Sequence, residues 1–151
     1  MTSISCFFVS DLHGSEHRYG ALFSAVERNR PAAVFLGGDL LPHRWSSGSG
    51  KDDFFDEVLA GGFRSLRNRL GADAPKVFII LGNDDDRSSE PGFLDGDREG
   101  IWIYLHEQWS EIGSHPVFGY ANVPPTPFQL KDWERYDVSR YTDPGSVSYT
   151  H

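Results

Sequence analysis

The sequence is poor in cysteine, in basic charge and in long apolar runs, and each shortage excludes something. Cys6 is the one cysteine in 151 residues, so there is no internal disulfide framework and no cysteine-rich zinc site. A lone cysteine also fits a reducing compartment. Lys and Arg number 14 against 22 Asp and Glu, for a net charge of −8. That balance argues against binding to a nucleic-acid backbone, which calls for a basic face, and against a polybasic membrane-surface protein. No stretch nears the ~18 apolar residues of a membrane span. The opening MTSISCFFVSDLH has no basic segment before its short apolar run, so it reads as a strand and not as a signal peptide. The expected location is the cytoplasm. Hydrophobic residues at 38 % and aromatic residues at 14 % exclude a disordered chain. The length is that of one domain, 1–151, large enough to bury a core.

The apolar pattern alternates between two periods. Ile4 to Val9 is a short apolar run that reads as a buried strand, with Cys6 inside it as a small buried hydrophobe. From Ser15 the period changes: Tyr19, Leu22, Phe23 and Val26 share one helical face. Ser15 is placed as N-cap, Glu16 lies in the first turn, and Pro31 marks the end. Ala33 to Leu36 is a second strand. Residues 42–51, rich in Gly and Ser, form a loop, and a second helix is expected over 52–70, with Phe55, Leu59, Phe63, Leu66 and Leu70 on one side. Its acids sit at the start, its arginines at the end, and Gly71 is the stop. Lys76 to Leu81 is the third strand. The order β-α-β-α-β predicts a parallel sheet with covering helices. Beyond Gly100, residues 101–106 and 116–120 are expected to pair as antiparallel strands. The Pro- and aromatic-rich tail carries a short helix over 130–136.

Between Asp84 and Glu99 lie seven acids (Asp84, Asp85, Asp86, Glu90, Asp95, Asp97, Glu99) and two bases, Arg87 and Arg98. Most of this stretch reads as a solvated acidic loop. Its first residues stand apart, because they follow a strand. Each predicted parallel strand ends in residues that can hold a metal or a phosphate: Asp11 and His13, then Asp39, then Asn83 with Asp84 to Asp86 behind it. Ligands of open α/β sheets bind beyond the carboxyl ends of the strands. Asp11 and His13 are two apart, so on extended backbone both point the same way. Carboxylate, imidazole and amide donors without thiolate suit Mn, Fe, Zn or Mg. Alone, each motif is an ordinary turn composition. Together, following three strands in order, they are specific.

Ser10-Asp11-Leu12-His13-Gly14, Gly37-Gly38-Asp39 and Gly82-Asn83-Asp84-Asp85 resemble the first three motifs of the calcineurin-like metallophosphoesterases, over about two-thirds of the chain. The resemblance implies an αββα sandwich of two sheets flanked by helices, here partial, with a parallel core followed by antiparallel strands. It implies two divalent ions of the Mn/Fe/Zn class, Asp11 and His13 on one, Asp39 bridging, and Asn83 on the other. The implied reaction is hydrolysis of a phosphomonoester or phosphodiester by a hydroxide activated between two metals. Asn83 and Arg87 would hold the phosphate-ester substrate.

The sequence departs from that family in two places. Asp84 stands where many members have a histidine that protonates the leaving group, and is therefore the catalytic candidate. The late G-H-x-H is missing. His106, on a predicted strand, reads as structural or surface, His115 as a turn residue, and His151 is terminal. The expectation is a domain shortened at its C-terminus, each metal keeping two or three protein ligands, with affinity reduced accordingly. The alternative function is a truncated, inactive relative with weak metal binding and a non-catalytic role. Trp45, Phe54 and Phe55 could wall a substrate site, though core packing is the better reading of Phe55. Likewise 124–128 could dock a partner as polyproline II, but packing within the chain is preferred.

Overall fold

Short apolar runs become parallel strands because each must bury one or both faces away from water. The structure, a computed structural model, describes residues 3–43 and 53–136. β1 (Cys6–Val9), β2 (Ala33–Leu36) and β3 (Lys76–Ile79) pair in parallel, with Cys6 beside Ala33 and Ala33 beside Lys76. β4 (Ile103–Tyr104) continues the sheet in parallel beyond β3, giving the order β1-β2-β3-β4. This corrects the expected antiparallel pairing of 101–106. The antiparallel pair is instead β5 (Trp109–Ile112) with β6 (His115–Phe118), turning at Gly113-Ser114. Gly113 takes a φ of 57° there, which suits a tight turn. His115 accordingly opens a strand.

The helices follow their local signals. In α1 (Glu16–Asn29) the Ser15 side chain accepts from the Arg18 N–H at 3.3 Å, and Arg30 leaves the helix in left-handed backbone ahead of Pro31. The second predicted helix is a π-helical turn, Phe55–Ala60, running into α2 (Gly61–Leu70). Phe54 packs edge-on to Tyr19, and Phe55 edge-on to Phe93 and Trp102. Both aromatics thus belong to the core; Trp45 lies outside the described residues.

The acidic stretch is not a loop throughout. Arg87–Ser89 is a 3-10 turn and α3 spans Glu90–Arg98. Pro91 occupies the first turn, where its missing N–H costs nothing. Phe93 and Gly96 supply the inward face. A Cβ at Gly96 would lie 2.3 Å from the Trp102 ring, so glycine is what lets the indole lie against the helix, its N–H donating to the Phe93 carbonyl at 2.8 Å.

Alternation along the strands divides the core. Val34, Leu36, Val77, Ile79 and Tyr104 face the helices. Ala33, Phe35, Phe78 and Ile103 face the other way, where Leu105 and the hairpin's Ile112 and Val117 cover them. That cover stops short of the edge strand. Phe8 is 74 % exposed and Cys6 is exposed, while Phe7 and Val9 are half-buried against the core, so β1 is covered on one face only. The expected buried strand is thus covered on one side alone, and Cys6, expected as a small buried hydrophobe, lies on the open side. The segment 130–136 forms no helix: Val123 and Glu134 make a bridge, with Val123 N–H donating to the Trp133 carbonyl and Arg135 N–H to the Val123 carbonyl. Trp133 is buried and donates to the Asp85 carbonyl at 2.7 Å. Satisfying that indole in the core outweighs about two turns' worth of weak helical pattern.

Candidate metal centre

Beyond the ends of β1 and β2 the two segments keep zipping together. Asp11 N–H donates to the Gly38 carbonyl, His13 N–H to the Asp39 carbonyl and Gly14 N–H to the Leu40 carbonyl, at 2.9–3.0 Å. This ladder is built from left-handed backbone: φ is 59° at Asp11, 45° at His13 and 55° at Asp39. Asp and His are among the few side chains that this region accepts, at about 1–2 kcal/mol each. Asp11 and His13 do come together, His13 Nε2 standing 3.8 Å from Asp11 Oδ1. What joins them is this turn, not the alternation of an extended strand.

Two glycines make room for Asp39. Gly38, at φ 101°, has its Cα 's missing substituent aimed at Gly82, where a Cβ would come within 2.6 Å of backbone. A Cβ on Gly82 would fall 2.2 Å from Asp39 Oδ1. The carboxylate therefore sits directly over the third loop and accepts from the Asp84 N–H at 2.9 Å. Half-burial raises the Asp39 carboxyl above its usual range, opposed by that hydrogen bond and by His13.

Asp85 fixes the loops from below. It is 1 % exposed. Its carboxylate accepts from the N–H groups of Leu40, Leu41 and Gly82 at 2.9–3.1 Å. Burial pushes the carboxyl up to about 6, against three backbone donors that favour the charged form. One side chain thus ties the loop after β3 to the loop after β2.

Above this base is a cavity of about 920 Å³ lined by Asp11, His13, Asp39, His43, Asn83 and Asp84, with Phe128, Gln129 and Leu130 along one side. Ligand atoms of Asp11, His13 and Asp39 all lie within 4.8 Å of one another. So do those of His13, His43 and Asp84. His43 Nδ1 is 2.6 Å from Asp84 Oδ2, and His13 Nδ1 is 3.4 Å from the same oxygen. The two imidazoles stack, centroids 4.7 Å apart and planes 16° from parallel. The residues fit a cation on a structural ground: His13 Nδ1 is buried and makes no hydrogen bond, a costly state for a polar atom with no ligand in prospect.

Asp11, His13, Asp39, Asn83 and Asp84 thus share one cavity, as their positions after the strands lead one to expect. Arg87 does not line it. Its guanidinium lies over Trp133, 4.7 Å from the ring centroid, and near Glu90. His43 is the residue that sequence reasoning passed over. Its one sequence signal is a histidine four positions after Asp39, at the start of a stretch whose composition reads as loop. His106 has a structural role, Nδ1 accepting from Ala121 N–H at 3.1 Å, with Trp133 edge-on to its ring.

No protein-family model and no curated protein matches the chain. One solved crystal structure aligns with 89 % of this chain at 13 % identity and a TM-score of 0.54. The chain spans 60 % of that structure's length. At that identity the likeness concerns the fold alone, a mixed α/β arrangement with a four-stranded parallel sheet and a separate antiparallel pair.

Proposed function

We propose that the chain is a metal-dependent phosphoesterase of the calcineurin-like kind, its sheets a partial form of that family's sandwich. The observation that carries this reading is the convergence of Asp11, His13 and Asp39, from two strand ends, with ligand atoms within 4.8 Å of one another. Asn83 and Asp84 from a third strand end line the same cavity. Divalent cations bound there would polarise phosphoryl oxygens and supply a nucleophile near neutral pH. Asp11, His13 and Asp39 would hold them. Asp39 is kept in place by the Asp84 N–H and by the space that Gly82 leaves. The Asn83 amide offers donors to a phosphoryl oxygen. Asp84 with His43, 2.6 Å apart, can pass a proton to a leaving oxygen. Phe128 and Leu130 give the cavity an apolar side for the ester group.

A second reading, an inactive relative that binds metal without turnover, is favoured by the imidazole count. Among the described residues only His13 and His43 bring imidazoles to the cavity. Hydrolysis of bis(p-nitrophenyl) phosphate in Mn²⁺ separates the two. The phosphoesterase reading expects turnover to fall in Asp39→Asn by more than the roughly 10–100-fold that loss of a ligand's supporting partner costs. Metal uptake with no turnover leaves the second reading, and no uptake at all defeats both.

A further inference from the structure

We infer that His13, His43 and Asp84 form a second cation site, selective for a transition-metal ion such as Zn²⁺ or Co²⁺. It shares His13 with the Asp11–Asp39 set. The inference extends the cation-site reading above, but stands apart from hydrolysis.

Three observations converge on it. One oxygen, Asp84 Oδ2, faces both imidazoles, at 2.6 Å from His43 Nδ1 and 3.4 Å from His13 Nδ1. The rings stack nearly in parallel, and each turns its Nδ1 toward that carboxylate. His13 Nδ1 is the one buried side-chain polar atom among the described residues that lacks a hydrogen bond, and it points at this group. The donors also differ from those of the neighbouring set. Two imidazoles and one carboxylate suit borderline ions, whereas two carboxylates with the shared imidazole lean toward harder ions such as Mn²⁺.

His13 couples the two sites. Its Nε2 faces Asp11 and its Nδ1 faces Asp84. A neutral imidazole has one nitrogen with a free lone pair, so His13 can serve one set at a time. An ion held by His13, His43 and Asp84 therefore takes His13 from the Asp11–Asp39 set. A ligated Asp84 also has no proton to give.

The test is Co²⁺ titration of the full chain, followed by its visible ligand-field bands and by displacement with Zn²⁺. Wild-type protein should develop intense bands of low coordination number, abolished by one equivalent of Zn²⁺ and untouched by excess Mg²⁺. His43→Ala should lose them, with affinity reduced beyond the roughly 10–100-fold that loss of a supporting partner costs. His43 is largely exposed, with 56 % of its side chain accessible, so the variant should keep wild-type circular dichroism, which is measured alongside. Asp11→Asn should retain the bands. Absent bands in wild type, or unchanged Co²⁺ affinity in both His43→Ala and Asp84→Asn, would overturn the inference while leaving Mn²⁺-dependent turnover to judge the phosphoesterase reading. Bands retained in a protein without turnover would support the site and count against the enzyme.

Discussion

Asp85 shows how much one side chain can hold. Its carboxylate receives three loop N–H groups, and an amide in its place would turn an NH₂ toward one of those donors. Asp85→Asn should cost about 1–3 kcal/mol in urea unfolding. The same residue shapes the pH dependence. A carboxyl near 6 in the folded state against about 3.9 unfolded binds its proton more tightly when folded. Its contribution is therefore full below pH ~4 and is lost as pH rises through about 6. Asp39, raised by burial as well, acts in the same direction. Urea midpoints taken between pH 4 and 6 should fall more in wild type than in Asp85→Asn. Gly82 is the other decisive position. Gly82→Ala places a methyl 2.2 Å from Asp39 Oδ1, and calorimetric titration with Mn²⁺ should show binding weakened by at least about 10-fold. Asp11, His13, Asp39 and Asn83 could be found from sequence, since each follows an apolar run. Asp85's burial and His43's approach to Asp84 could not, because both depend on contacts made 41 to 45 residues apart in the chain.

Elements with a strong local signal form where their residues say they should. α1 has its cap, its apolar face and its stop within sixteen residues of sequence. α3 is the opposite case. Its charge and its glycines argue for loop, yet Phe93 and Gly96 meet Trp102 and pin it as helix. Tertiary packing overrides propensity here. Gly96→Ala would gain helix propensity but force a methyl into the indole, so thermal melts should show a net loss of about 1–3 kcal/mol. β1 shows the matching error for strands. An apolar run signals burial without saying on how many faces, and Phe8 faces outward. Phe8→Lys should change stability by no more than about 0.5 kcal/mol, as for an exposed position.

At the scale of the molecule, four parallel strands deliver three loops to one edge, and the loops are laced by backbone hydrogen bonds and Asp85. A cation joining Asp11, His13 and Asp39 would bridge two of them and so bind the folded chain over the unfolded one. Mn²⁺ at ~100 times its Kd should add about 2.7 kcal/mol, seen as a concentration-dependent rise in melting temperature that EDTA reverses and Asp39→Asn removes. Among the described residues no helix is long and apolar enough to cross a membrane, in keeping with the short apolar runs.

The succession of strands and helices down to Ile79, and the residues set at the strand ends, are legible in the chain alone. Both are written in short-range pattern: apolar period, caps, and the Gly, Asp and His that accept left-handed backbone. Three features arise in the folded arrangement instead: β4 joins the sheet in parallel, β1 keeps one face open, and His43 meets His13 over Asp84. Each of these is a choice of partner between distant segments, settled by which surfaces bury one another, and local pattern carries no record of it.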